Sequence, residues 1–242
     1  MEDAPATVTV VKIPFTVDGL RLEGWLHRPD GPRPPLVVGV HGLLSDADSP
    51  KQTALAAACC ARGMAYFRFH HRGCGTSQGD LVRDTNLDNR VADLRQAVDT
   101  LAARQDTGRL LGLFGSSLGG TTCLAAAAAL RPAGMVTFGA PVASRPLAQA
   151  RRHGTDPVLA RLDLSFDISH RLQGIDHLLV VHGENDEVVP LDSARTIHRL
   201  AQEPKQILVQ AGGDHRMSHP EHQHRFVEEV VAWFQHCFAM AQ

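Results

Sequence analysis

Gly115-Ser116-Ser117-Leu118-Gly119 is the stretch on which the reading of this chain turns. Before it runs Arg109-Leu110-Leu111-Gly112-Leu113-Phe114, a short apolar segment of buried-strand type. After it, Leu118 to Leu130 is rich in Ala and has no breaker beyond Gly120. Ala is the best helix former, so the pentapeptide reads as a sharp strand-to-helix turn of the form G-x-S-x-G. A tight turn explains both glycines, because a side chain at either would crowd the neighbouring strand and helix. Such a turn lifts the Ser117 hydroxyl above the sheet edge and aims the first helix amides at developing negative charge. An ordinary Gly-rich loop would look the same over five residues, so the flanking chain has to decide.

Outward from this turn, strand-like and helix-like segments alternate. Thr7 to Val17 and Leu20 to His27 read as strands around Asp18-Gly19, a strong hairpin signal. Leu36 to Val40 is continuously apolar, as in a parallel strand covered on both faces, and ends in His41-Gly42. Ser49-Pro50 opens a helix, with Ser as N-cap and Pro at the first helical position, and Gly63 closes it after Arg62. Ala65 to Phe69 is the next strand, followed by a loop from His70 to Thr85. Leu87, Val91, Leu94, Val98 and Leu101 mark the apolar stripe of a further helix. Beyond the turn, Met135 to Phe138, Leu178 to His182 and Gln206 to Val209 read as strands, and Leu191 to Ala201 and Glu221 to Phe238 as helices. Ser218 and Glu221 have the spacing of a capping box for the last helix. The pattern predicts one mostly parallel sheet with helices on both faces and an antiparallel hairpin at one edge. Ala143 to Gly174 breaks the alternation; it is polar, Arg-rich and weakly periodic, and reads as a short insertion over the site.

Composition bounds the rest. A length of 242 residues, 43% hydrophobic and 21% charged, fits a single globular domain spanning 1–242 with a full core. A net charge of −2, with scattered Arg, predicts no nucleic-acid partner. No stretch of about 20 apolar residues occurs, which predicts no membrane span. Met1 to Pro5 lacks a basic segment leading into an apolar one, and five cysteines without C-x-x-C spacing suggest a reducing compartment, so a cytoplasmic location is expected. A monomer and a homodimer are both compatible with the sequence.

A hydroxyl becomes a good nucleophile when a base takes its proton and a carboxylate orients the base. Two later segments supply these groups in the order nucleophile, acid, histidine. His182-Gly183-Glu184-Asn185-Asp186-Glu187-Val188-Val189-Pro190 follows one buried strand, and Gly212-Gly213-Asp214-His215 follows the last. Both lie at strand C-terminal ends, where open α/β sheets bind ligands.

With these motifs the chain resembles the α/β-hydrolase family over nearly its whole length. The resemblance rests on His41-Gly42, the Arg-Gly-x-Gly-x-Ser loop at Arg72 to Ser77, the turn at Ser117, the acid loop at His182 to Pro190 and the segment Gly212 to His215. It is most similar to compact, small-cap serine hydrolases: cinnamoyl- or feruloyl-esterase-like proteins, dienelactone-hydrolase-like proteins and the acylaminoacyl-peptidase-type catalytic domain. The resemblance implies an eight-stranded α/β-hydrolase fold with a cap at 143–174 after strand 6. It implies Ser117 as nucleophile, His215 as general base, Asp186 as its orienting carboxylate, and the backbone amides of Leu43 and Leu118 as oxyanion donors. Glu184 and Glu187 compete with Asp186, His219 with His215, and Ser116 with Ser117. Two departures stand out. His70-His71 precedes the Arg-Gly loop where relatives often carry Asp, and Ser116 stands where they often carry a bulkier residue.

His215, His219, His222 and His224 could be grouped as a metal site, but one catalytic and three solvated histidines explain them, and no metal or other cofactor is expected. Arg151, Arg152 and His153 read as a solvated basic face rather than a contact for an acidic substrate. The resulting expectation is a serine carboxylic-ester hydrolase acting on small or aryl esters through an acyl-enzyme on Ser117. A peptidase, amide hydrolase, thioesterase or C–C bond hydrolase would use the same residues. A hydrolase-fold binding protein with a residual triad is the competing class.

Overall fold

The computed structural model describes residues 8–144, 161–162 and 164–241. The hairpin forms first in the chain: β1 (Val8–Val17) and β2 (Leu20–Pro29) pair antiparallel with Val17 opposite Leu20. Asp18 and Gly19 both have positive φ, 51° and 78°, as a two-residue hairpin turn matched to strand twist requires. On one face of the ribbon Ile13, Phe15, Val17, Leu22 and Leu26 are buried, the period-2 signature of a half-covered sheet.

Six more strands follow: β3 (Leu36–Val40), β4 (Ala65–Phe69), β5 (Leu111–Ser116), β6 (Gly134–Phe138), β7 (Leu178–Gly183) and β8 (Lys205–Gln210). They join the hairpin in one eight-stranded sheet of order β1-β2-β4-β3-β5-β6-β7-β8. The hairpin and its junction with β4 are antiparallel, and every later pairing is parallel. The fold is thus the mostly parallel, hairpin-edged α/β-hydrolase sheet that the sequence predicts.

Successive strand residues serve opposite layers. Val38, Leu113, Met135 and Val180 face α3 (Leu87–Ala102), α4 (Leu118–Leu130) and α5 (Leu191–Leu200) through Leu94, Leu124 and Ile197. Val37, Phe114, Val136 and Val181 face α1 (Pro50–Ala61) and α6 (Pro220–Met240) through Leu55, Phe226, Val230 and Phe234. The strands read as unbroken apolar runs because both faces are covered.

The structure alters several local expectations. The loop after β4 contains a one-turn helix, α2 (Leu81–Asp84), capped by Asp80, whose carboxylate accepts from Val82 N at 3.0 Å and Arg83 N at 2.8 Å. Ser49 occupies the N-cap position of α1 but its side chain makes no capping bond. The expected capping box on α6 does not form. Pro220, which lacks an N–H and has its φ pre-set for helix, takes the first helical position, so His219 becomes the N-cap. Ser218 is pushed one residue outside, and its N–H donates to Asp214 Oδ1 at 2.8 Å.

Most of the expected cap at 143–174, namely 145–160 and 163, lies outside the described residues, as do Arg151, Arg152 and His153. Its two ends converge: Ala143 bridges Asp167, and Ser144 N donates to Phe166 O at 2.9 Å. Leu162 and Leu164 are buried in a small cluster with Leu118 and Val189, directly beside the strand ends that carry the candidate site.

Candidate active site

Each candidate side chain sits at the C-terminal end of a parallel strand. Ser117 follows β5 and precedes α4 with φ 53° and ψ −125°, a conformation that few non-glycine residues adopt. Its N–H donates to Phe138 O, at the end of the adjacent β6, at 2.7 Å. The glycines make this turn possible. A Cβ on Gly115 would lie 2.4 Å from Gly119 O, and one on Gly119 would lie 2.2 Å from Val40 O, where β3 passes beneath α4.

The acid and the base arrive on loops after β7 and β8. His215 Nδ1 lies 2.7 Å from Asp186 Oδ2, and His215 Nε2 lies 3.1 Å from Ser117 Oγ. With the proton on Nδ1 facing the carboxylate, Nε2 is left to accept from the serine hydroxyl. Asp186 is held in turn: Oδ1 accepts from Val188 N at 2.9 Å and Val189 N at 2.7 Å. Gly139, at φ 58°, leaves room here, since a Cβ would come within 3.2 Å of both Asp186 and His215.

The competing residues fall into other places. Glu184 and Glu187 do not face the imidazole; they grip the backbone of the base loop, accepting from Gly212 N at 2.9 Å and His215 N at 3.2 Å. His182, fully buried, hydrogen-bonds through Nε2 to Val189 O at 2.8 Å and closes the acid loop. His219 is exposed at the start of α6, its ring against that of His222. Ser116 lines the same cavity as Ser117, but the imidazole meets Ser117. Among the described residues no group of three or more His, Cys, Asp or Glu is arranged to hold a metal ion.

The candidate oxyanion donors flank the serine. Leu118 is the first residue of α4, where an amide has no carbonyl one turn back to bond. Leu43 follows Gly42, whose missing side chain lets this loop approach the turn: a Cβ there would stand 3.2 Å from Ser117 Cβ. The loop is held from behind by buried charge that the apolar stripe of α3 did not reveal. Arg90, fully buried on α3, donates to His41 O, and His71 N donates to His41 Nε2 at 3.2 Å. Asp93, one turn on, takes Arg72 Nε at 2.8 Å, Arg72 N at 3.1 Å and faces His71 Nδ1 at 3.1 Å. Burial pulls Arg90 down to about 10, which leaves it charged at neutral pH. Burial, reinforced by the Arg90 charge, holds His41 and His71 well below the ordinary histidine range, so both are neutral there. His70-His71, the departure from the family pattern, therefore packs as a neutral pair: His71 on Asp93, and His70 against the Trp25 ring at 5.0 Å with its Nδ1 accepting from Ala47 N.

A cavity of about 650 Å³ opens over Ser117 and His215. Its walls come from the loop after β3, the start of α1, the acid loop, the base loop and α6, and include Leu43, Val188, Met217, Phe226 and Val227.

Comparison with known proteins gives the family. The family described as serine aminopeptidase, S33, matches residues 31–173, and the prolyl oligopeptidase family matches residues 164–241. The chain belongs to the serine aminopeptidase S33 family of α/β-hydrolases. This α/β-hydrolase is 27% identical over 228 residues to the uncharacterized protein YfhR of Salmonella typhimurium, covering 87% of this chain and 76% of that one. It is 27% identical over 213 residues to the mitochondrial palmitoyl-protein thioesterase ABHD10 of Mus musculus, covering 76% and 69%. Its fold matches Est1E of Butyrivibrio proteoclasticus, solved with ferulic acid bound, at a TM-score of 0.79 and 19% identity, over 94% of this chain and 99% of that one. This α/β-hydrolase is an enzyme of the hydrolase class.

Sequence reasoning missed the roles of five residues. Arg90 and Asp93 were hidden because they alternate with leucines on a helix face read only for its apolar residues. Glu184 and Glu187 were weighed as rival acids, whereas they brace the base. Lys51, on the first turn of α1, lines the cavity itself; its signal was a lone cation ten residues after His41.

Proposed function

We propose that this chain is a serine carboxylic-ester hydrolase acting on small or aryl esters. The observation that carries the reading is the continuous hydrogen-bonded line Asp186–His215–Ser117, ending on a hydroxyl that faces an open cavity. Ser117 Oγ attacks the carbonyl carbon while His215 Nε2 takes its proton. The tetrahedral oxyanion accepts from the Leu43 and Leu118 amides, where each donor contributes about 10²- to 10³-fold in rate. His215 then returns the proton to the departing alcohol, leaving an acyl group on Ser117. Water, deprotonated by the same imidazole, releases the acid and restores the hydroxyl. The ferulic acid bound to the fold neighbour Est1E supports an aryl ester as substrate. Thioester hydrolysis is the second reading, favoured by the palmitoyl-protein thioesterase relative.

Hydrolysis of p-nitrophenyl acetate, butyrate and octanoate by the wild type and by Ser117→Ala tests the proposal. Turnover by the wild type that vanishes in the variant is the expected result. Turnover that persists in Ser117→Ala overturns the assignment. Preference for an acyl-thioester over its oxygen ester by 100-fold or more would move the reading to thioesterase.

A further inference from the structure

The cavity over Ser117 is lined by apolar and polar side chains together, and its charge is of one sign. No carboxylate appears among its described lining residues; beyond His215, the ionisable groups there are Lys51 and Arg216. Lys51 reaches in from the first turn of α1. Its ammonium donates to Arg216 O at 2.9 Å and lies 5.0 Å from the centroid of the Phe138 ring. An ammonium has three donors, and the structure gives this one a single acceptor and no ion pair among the described residues.

The two carboxylates whose charge reaches Lys51, Asp214 and Asp186, form no ion pair with it. Asp186 spends Oδ2 on His215 and Oδ1 on two backbone amides, and Asp214 Oδ1 accepts from Ser218 N. Burial lowers the Lys51 pKa, with Asp214 and Asp186 acting against it only from a distance. A half-buried ammonium without a counter-ion, at the wall of a cavity that holds a nucleophile, is a group waiting for an anion from outside the chain.

We propose that Lys51 is the specificity-determining residue of this cavity and that the substrate is an ester carrying a carboxylate in its acyl or its alcohol part. The Phe138 face and the Arg216 carbonyl hold the ammonium in place, so its two remaining N–H groups are oriented before the substrate arrives. Arg216, exposed at the same wall, adds to the field that draws the anion in. The inference rests on the reading of Ser117 as the nucleophile, since it names what that nucleophile is offered.

The test measures proton release from matched pairs of esters. Monoethyl succinate, glutarate and adipate are compared with neutral ethyl esters of equal chain length, and the acetyl esters of glycolate and lactate with ethyl acetate. The wild type is expected to favour at least one carboxylate-bearing ester over its neutral match. Lys51→Met is expected to cut that preference about 10- to 100-fold through KM, and Lys51→Arg to keep most of it. A wild type that favours the neutral ester in every pair overturns the proposal. So does a Lys51→Met variant that loses both members of a pair equally, because Lys51 would then only staple the His215 loop through Arg216 O. Ser117→Ala separates the two levels. If it retains turnover, the nucleophile reading fails. If it is inactive but gains thermal stability from monoethyl glutarate, and the Ser117→Ala/Lys51→Met double variant does not, anion recognition stands independently of turnover.

Discussion

Ser117 carries backbone strain at the place where its hydroxyl is presented. A φ of 53° with ψ −125° is territory that only glycine occupies at ease, and holding a serine there costs on the order of 1–3 kcal/mol. Ser117→Gly is therefore expected to be inactive yet more stable than Ser117→Ala by about 1 kcal/mol, read as a difference in urea midpoints. Equal stability of the two would mean that the turn is relaxed. The same residue-level logic separates the three acids of the loop after β7. Asp186 faces the imidazole, whereas Glu184 and Glu187 face amides. Asp186→Asn keeps the shape of the site but presents an N–H or a weaker acceptor to Nδ1, which favours the wrong tautomer. A kcat reduced about 10³- to 10⁴-fold with KM little altered is expected. Glu184→Gln is expected to change kcat less than tenfold, and an effect rivalling that of Asp186→Asn would reassign the acid. The Ser, Asp and His positions were legible because fixed motif spacings place them. The division of labour among neighbouring acids was not, because it depends on which way each side chain turns on a loop.

At the level of elements, α3 shows how a helix buries charge inside an apolar stripe. Leu87, Leu94 and Leu101 pack on the sheet, while Arg90 and Asp93, on the same face, reach the loops after β3 and β4. The pattern of leucines gave the helix and its buried side; it was silent on the charges, since Arg and Asp within an apolar stripe read as solvent-facing until a partner is seen. Asp93 is fully buried and satisfies Arg72 and His71 together. Asp93→Ala leaves the buried Arg72 guanidinium with only the exposed Asp18 carboxylate, at 2.9 Å, and strips Arg72 N of its acceptor, and is expected to cost about 3 kcal/mol in urea unfolding. A loss below about 1 kcal/mol would show that water replaces the carboxylate. α6 teaches the converse lesson. Ser218 and Glu221 had the spacing of a capping box, yet Pro220 fixes the first turn one residue later and the box cannot close. Spacing alone does not say which of two adjacent start signals a helix obeys.

For the whole molecule, alternation of strand and helix was sufficient to give the layers, the parallel order and the hairpin edge, because each strand's two faces must both be covered. What could not be read is how many histidines the fold keeps neutral, and this sets its response to acid. His41 and His71 are each only 1% exposed, and burial first, then the nearby Arg90 charge, depresses both well below the ordinary value. His27 falls to about 4, through burial and the Arg68 charge. In the unfolded chain each of these groups titrates near 6.5. Below that pH the unfolded state binds protons that the folded state refuses, so stability is intact above about pH 6.5 and declines as the pH falls toward the folded-state values. His41 and His71 each contribute a slope approaching 1.4 kcal/mol per pH unit. Paired carboxylates such as Asp84, depressed to about 2 chiefly by its bond to Arg83, begin to matter only below about pH 4. Urea midpoints at pH 7.5, 6.5, 5.5 and 4.5 are expected to fall slightly between the first two, since the unfolded histidines are half protonated at pH 6.5, and to drop steeply thereafter. His71→Gln, compared with the wild type over the same series, is expected to flatten the drop by about one proton's worth. A midpoint that holds level down to pH 4.5 would show that the buried histidines take up protons in the folded state, contrary to the packing of Arg90 against them.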